Sequence, residues 1–202
     1  MMGPAVRGCG VSVIIGFFAA CEAPAGACDA DYLACDDGAG TFRLDPTCTL
    51  TGPLTVQLGQ GDSHYSPLPE GVFPTLYRGP QGGTHAFVAL RVEAPEADGI
   101  TALEAHFELR SLDPAGVCSP PTAYRSPVDV PGHGPVCSSV GQDRRVVLGV
   151  RSPLRRDGSA IEEFGLVLVG AYQPDAWWLG VTVRDQCGRT GSDAVWAIPA
   201  AR

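Results

Sequence analysis

The chain of 202 residues contains no lysine and no asparagine, and its 14 basic side chains other than histidine are all arginine. Without lysine there is neither a P-loop lysine nor a lysine able to form a Schiff base. Without asparagine there is no acceptor for N-glycosylation. Gly-x-Ser-x-Gly and His-Glu-x-x-His are also missing, which removes the motif-level case for an α/β-hydrolase elbow or a zinc-protease helix. Long apolar runs are absent: the mostly apolar stretch 11–20 has ten residues, half of the roughly 20 that a span requires. Positive charge is scarce, since 22 carboxylates leave a formal charge of −8. That balance argues against a nucleic-acid partner and against electrostatic docking on anionic lipid. The missing lysine and asparagine, set beside 26 glycines and 18 prolines, have the look of a GC-rich genome and report codon usage before function.

The informative feature near the start is Phe18-Ala19-Ala20-Cys21, which closes the apolar stretch 11–20 behind a start carrying one cation, Arg7. A cationic start, a short apolar region and small residues before a cut make a secretory signal. The cysteine directly after Ala19-Ala20 resembles the lipobox of bacterial lipoproteins. The resemblance implies cleavage after residue 20, acylation of Cys21, and anchoring outside the cytoplasm, at the outer membrane or cell surface in preference to the inner membrane. More than one acyl chain gives stable anchoring at about 0.8 kcal/mol per buried methylene. The chain from Cys21 onward would keep 13 arginines against 22 carboxylates, a formal charge of −9.

Three segments are expected: a signal at 1–20, an acidic flexible tether at 21–47, and one domain at 48–202. The tether is rich in Ala, Gly and Asp and would reach roughly 25–30 Å as a flexible chain. Within it, Asp29 and Asp31 open with the spacing of a calcium loop. No glycine stands at the sixth position of that loop and no glutamate at the twelfth, so a solvated acidic linker with a local disulfide is the reading.

Beyond Cys48 the periodicity is two. Leu103, Ala105, Phe107 and Leu109 alternate with Glu104, His106, Glu108 and Arg110, the pattern of a half-buried strand. Seven strands are expected, at 53–59, 84–93, 101–111, 144–151, 163–172, 176–185 and 192–199, with Leu166, Leu168, Val181 and Val183 in the core and a long loop over 113–143. No segment carries a helical stripe, and the connections are rich in Gly and Pro. The fold class is all-β, an antiparallel two-sheet β-sandwich, with a closed barrel as the other architecture open to such a pattern.

The segment 178–196, with Val181-Thr-Val183-Arg-Asp185-Gln-Cys-Gly188-Arg-Thr190 at its centre, resembles the last hairpin of bacterial immunoglobulin-like domains. The stretches 68–71 and 74–85 resemble a turn-and-strand motif of uncharacterised lipoproteins from high-GC bacteria. The resemblance implies an immunoglobulin-like sandwich, although the second and sixth strands lack the inter-sheet cysteines of antibody domains. It also implies a pairing for the six cysteines left after Cys9 and Cys21. In such a sandwich the start of the first strand shares an end with the turn between the last two, so Cys48 meets Cys187. Cys118 and Cys137 share the 113–143 connection and pair. Cys28 and Cys35 remain to close a short loop in the tether.

No catalytic set is expected, and no metal or other cofactor. Gly61-Asp62-Ser63-His64 resembles the nucleophile block of GDSL-type esterases, but those enzymes also need an asparagine and a three-layer α/β fold. The four histidines, His64, His85, His106 and His133, are dispersed without ligand spacing. His85 follows the Gly82-Gly83 turn, where its ring would satisfy turn backbone groups. Trp177 and Trp178 are adjacent and so point to opposite faces of a strand. One enters the core. The other packs beneath the tether or the 113–143 segment, or forms an aromatic platform for sugar or peptide. Trp178 and His85 are therefore the candidate binding residues. The functional expectation is a lipid-anchored binding or structural module that meets an envelope protein or polymer. The alternative is an extracytoplasmic enzyme built on Asp62, His64, His85 or the acidic loops, or a small-ligand or metal carrier.

Overall fold

The computed structural model describes residues 42–198 apart from residues 80, 81, 117, 119, 120, 122–124, 151, 152, 170 and 172. The signal segment, Cys21, Cys28 and Cys35 lie outside the described residues. Among the described residues eleven strands follow one another: β1 (Thr55–Gln60), β2 (Ser66–Pro67), β3 (Leu76–Arg78), β4 (Thr84–Glu93), β5 (Leu103–Asp113), β6 (Arg125–Val130), β7 (Gly134–Leu148), β8 (Arg156–Asp157), β9 (Ala160–Val169), β10 (Trp177–Asp185) and β11 (Thr190–Ala197). The only helical element among the described residues is a single 3₁₀ turn, Ala97–Gly99.

One sheet runs β2-β1-β4-β9-β8, with β3 continuing along the β4 edge beyond β1; the other runs β11-β10-β5-β7-β6, and every pairing is antiparallel. The order β1-β4-β9-β8 over β11-β10-β5 is that of an immunoglobulin-like sandwich. The expected seven strands are all present within a few residues of their expected bounds, apart from β7, which starts ten residues earlier than expected. The additions are β2, β3 and β8, of two or three residues each, and β6.

The 113–143 segment is not a loop. It holds β6 and the first ten residues of β7, paired from Arg125↔Ser139 to Val130↔Gly134. Its sequence is rich in Gly, Pro and Ser, residues that strands disfavour. The partner strand β5 supplies the ladder instead, from Leu103↔Leu148 to Asp113↔Cys137. Cys137 therefore lies in a strand, and its bridge to Cys118 ties the incoming connection to the hairpin.

The two inner faces interdigitate around Leu58, Val88, Leu90, Phe107, Ile161, Leu166, Leu168, Trp177 and Leu179. Leu166, Leu168, Val181 and Val183 are all buried, as the alternation requires. Each large apolar side chain contributes about 1.5–3 kcal/mol on burial. The β9 ladder slips between Val88 and Leu90 of β4, so Phe164 and Gly165 oppose Ala89. Gly165 has φ +72° and donates its N–H to Gly61 O at 2.9 Å, which folds the 61–65 turn over the outer face of this sheet.

The edges at β2, β8 and β11 are managed. The outer strands β2 and β8 are two residues long, too short to template another chain. On β11, Leu58 N donates to Asp193 Oδ2 at 2.6 Å, and Gly71 N donates to Trp196 O at 2.9 Å. These contacts occupy the edge at two heights.

The chain enters the domain at the β10–β11 turn. Phe42 is buried, and the Arg184 guanidinium lies 5.1 Å from its ring centroid. Asp45 N donates to Gln186 O at 2.8 Å, and Cys48 is bridged to Cys187. The last residues of the 21–47 segment thus lie against the sandwich. The Asp-x-x-Gly-Arg-Thr motif is architecture here. Asp185, fully buried, accepts the N–H groups of Cys187 and Arg189 and the Nε–H of Arg189, while Gly188 takes φ +82° to close the turn. Gln186 reaches sideways to Gly99 O at 2.9 Å and joins the turn to the β4–β5 connection. This end is the proximal pole.

A carboxyl also sits on the inner face of the first sheet. Glu163 projects inward from β9 and is 9% exposed, with Oε1 accepting Arg155 N at 3.1 Å. Burial pushes its pKa above the ordinary carboxylate value, and the hydrogen bond and charge of Arg155 only partly oppose that. A raised native pKa means that the folded state holds this proton more tightly than the unfolded chain, so stability falls as pH rises through it. Glu163→Gln keeps the acceptor and removes the charge. Its melting temperature should exceed the wild type by about 2–4 °C at pH 7, the shift that about 1 kcal/mol gives for a chain of this size. The gap should close as pH falls below the native pKa of Glu163. Melting curves across pH that stay parallel would contradict this account.

Candidate functional site

At the opposite, distal pole a second small core lies on the outer face of the β11-β10-β5-β7-β6 sheet. Leu112, Val130, Val136 and Ala176 are buried there, with Val128, Trp178, Trp196 and Ile198 packed around them. The β6–β7 hairpin covers this patch. It is held by Arg110, whose Nη1 donates to Ser126 Oγ at 2.9 Å and to Ser138 Oγ at 3.2 Å, and whose Nε donates to Glu108 at 2.8 Å. Asp113 pairs with Arg125 at 2.8 Å beside the Cys118–Cys137 bridge.

Trp178 and Trp196 are directly opposed across the β10–β11 ladder. The Trp178 ring lies flat over Gly180: a Cβ at that glycine would sit 2.0 Å from indole Cη2. Glycine is thus required for the indole to lie along the strand. The Arg110 guanidinium stands 6.0 Å from the ring centroid. Trp178 is half-buried beneath the 113–143 segment, as one of the two expected arrangements has it, and it also floors a groove. Trp177 is in the main core, edge-on to Phe73 with ring centroids 5.3 Å apart.

Three clefts meet at this pole. The largest, about 790 Å³, lies between Glu70, His133, Asp175, Trp177 and Trp196. A groove of about 570 Å³ runs over Trp178 and Trp196 between Glu108, Asp129, Pro131 and Thr182. A third, about 430 Å³, is bounded by Leu112, Asp113 and Asp175. Glu70, Asp129 and Asp175 are exposed, and among the described residues no arginine lines any of the three.

The other candidate residues lie elsewhere. His85 is on the outer face of the first sheet, stacked on Tyr77 with centroids 5.9 Å apart and edge-on to Phe87 at 5.0 Å. Its turn is closed by backbone bonds between Gly79 and Gly83 and between Gly82 and Gly79, so the expected role of the ring in satisfying the turn is corrected to aromatic packing. His85 and Trp178 do not share a site. In the exposed 61–65 turn, Ser63 Oγ donates to Asp62 at 3.1 Å and lies 3.4 Å from His64 Nδ1. Both contacts are between chain neighbours, and Asp62 orients the serine instead of the imidazole, which is not the order a nucleophile–base–orienter relay needs. His106 bonds through Nε2 to Asp143 on the outer face of β5. Among the described residues, no three His, Cys, Asp or Glu side chains converge as metal ligands.

Trp196, His133 and Asp129 were not among the sequence candidates. Trp196 had a signal: the register of the β10–β11 hairpin puts it opposite Trp178. His133 and Asp129 belong to the hairpin hidden in the polar 113–143 stretch.

Two disulfides, Cys48–Cys187 and Cys118–Cys137, place the domain in an oxidising compartment outside the cytoplasm. No family model and no curated protein matches the chain. The chain resembles the crystal structure of a DUF4466 family protein from Parabacteroides merdae at 15% identity and a TM-score of 0.27, over 72% of this chain and 44% of that one. The chain spans less than half of that structure's length, and a likeness of this degree carries no argument about function.

Proposed function

We propose that this chain is a lipid-anchored binding module of the cell envelope, which recognises an envelope protein or polymer through its distal pole. The observation that carries the reading is polarity along the sandwich. The chain enters at the β10–β11 turn, where Cys48, Asp45 and Phe42 are held. The clefts open at the other end of the same strands. Trp177 and Asp185 are the two ends of the nine-residue β10, roughly 26–27 Å apart at strand rise. With acylated Cys21 at the membrane and the tether joined to the proximal pole, the clefts face away from the bilayer. Binding surfaces on the loops and hairpins of a rigid sandwich are the common arrangement. The negative charge supports an envelope ligand in place of nucleic acid.

Two experiments test it. Cys21→Ser should convert a detergent-phase protein into a soluble or unprocessed one; a Ser variant that is processed and still partitions with membranes would overturn the anchor. A photo-crosslinking residue at position 133 should capture one envelope component in cells, whereas the same residue at position 98, on the proximal pole, should not. Equal capture at both positions, or turnover of a hydrolase substrate that is lost in His64→Ala, would defeat the binding reading.

A further inference from the structure

We infer that the groove over Trp178 and Trp196 binds a cationic side chain, arginine or lysine, presented by an extended basic segment of a protein partner. The inference rests on the reading of the distal pole as a binding surface and names the chemistry of its ligand. Hydrogen-bonding capacity decides first. Of the carboxylates bordering the groove, Glu108 is paired with Arg110 and Asp129 is exposed, beside the hydroxyls of Thr182 and Ser192. His106 has its Nε2 committed to Asp143, and Asp193 turns its carboxylate to Leu58 N and Ala194 N. That leaves the Asp129 carboxylate as the free charged acceptor of the groove among the described residues, and an ammonium or guanidinium needs acceptors alone.

Charge decides next. Asp129 is exposed and has no ion-pair partner among the described residues. The adjoining clefts add Glu70 and Asp175, and no arginine among the described residues lines any of them. A basic segment crossing this pole would meet Asp129, Glu70 and Asp175, exposed carboxylates with no ion-pair partner among the described residues. The floor decides last. The half-buried indole of Trp178 lies against Gly180 and borders the groove, and Trp is the strongest cation–π acceptor. Its environment already holds one guanidinium, that of Arg110 at 6.0 Å.

The test uses the full chain in detergent and its own fluorescence, because all three tryptophans, Trp177, Trp178 and Trp196, line these clefts. Tetra-arginine should change the emission saturably. Tetra-glutamate and cellohexaose should not. Raising salt from low to about 0.5 M should weaken the affinity severalfold, since exposed charge pairs are screened. Asp129→Arg should weaken tetra-arginine binding at least tenfold. Asp98→Arg, the same charge change on an exposed residue of the proximal pole, should alter it less than twofold. Trp178→Leu should abolish it, and the surface variant Asp129→Arg keeps the test valid if Trp178→Leu does not fold. Saturation by cellohexaose, tighter binding of a glucosamine hexamer than of tetra-arginine, or equal effects of Asp129→Arg and Asp98→Arg would overturn the inference. Loss of peptide binding with continued capture from position 133 would sink the cation alone and leave the distal pole as a binding surface.

Discussion

Replacing Cys48 and Cys187 together by alanine will cost the domain a large share of its stability. The bridge joins residues 139 apart in sequence, so it closes nearly the whole described domain into one loop. In the chain-entropy account such a loop is worth about 5 kcal/mol, against about 3 kcal/mol for the Cys118–Cys137 bridge with its separation of 19. A domain of this size has only about 5–15 kcal/mol in total. Native contacts add to the effect. The bridge fixes the residues that carry the chain into the sandwich, where Asp45 N meets Gln186 O and Arg189 Nη1 meets Thr51 O at 2.7 Å. Equilibrium urea unfolding of the two alanine pairs should therefore give a much lower midpoint for Cys48/Cys187 than for Cys118/Cys137. The former should also show a steeper denaturant dependence, because its unfolded chain exposes more surface. The reverse order would mean that the bridges act through native packing and not through the unfolded state.

That bridge was readable because it depends only on which ends of which strands meet, and the strands were written in strong alternation. β4, β5 and β10 each show apolar residues every second position, and burial drives the fold from that pattern. β6 and the first part of β7 were not readable. Their residues, such as Pro127, Ser138 and Ser139, carry little strand preference. They become strands because β5 is long enough to pair beyond the main core, so tertiary pairing overrides local propensity. The site divides in the same way. Trp178 could be found from the opposite faces of neighbouring strand residues. Asp129 and His133 could not, because their positions follow from a hairpin that the sequence disguises. Gly180 looked like an ordinary strand glycine, and only the indole lying on it shows why a side chain is excluded there.

Asp185→Ala will be the most damaging single substitution at the proximal pole. The carboxylate is fully buried and accepts three donors: Cys187 N at 3.0 Å, Arg189 N at 2.9 Å and Arg189 Nε at 2.6 Å. Alanine leaves two backbone N–H groups unpaired and a guanidinium only 10% exposed without its counter-charge. Removing one member of a buried pair costs about 3–5 kcal/mol, mostly for stranding the other charge. Arg189 would retain Thr51 O through Nη1, which is too little to offset a missing anion. Asp185→Asn should fall between wild type and alanine, since its carbonyl oxygen still accepts but carries no charge. Arg189→Met alone should cost less than Asp185→Ala, because methionine fills the volume and strands no cation. In the double variant Asp185→Ala/Arg189→Met, part of the loss should be recovered, giving a coupling of about 0.5–3 kcal/mol. Thermal and urea unfolding of the four proteins close this cycle. Additive costs would mean that Arg189 is solvated when Asp185 is gone, and that the Asp-x-x-Gly-Arg-Thr turn is held by Gly188 and the Cys48–Cys187 bridge without the ion pair.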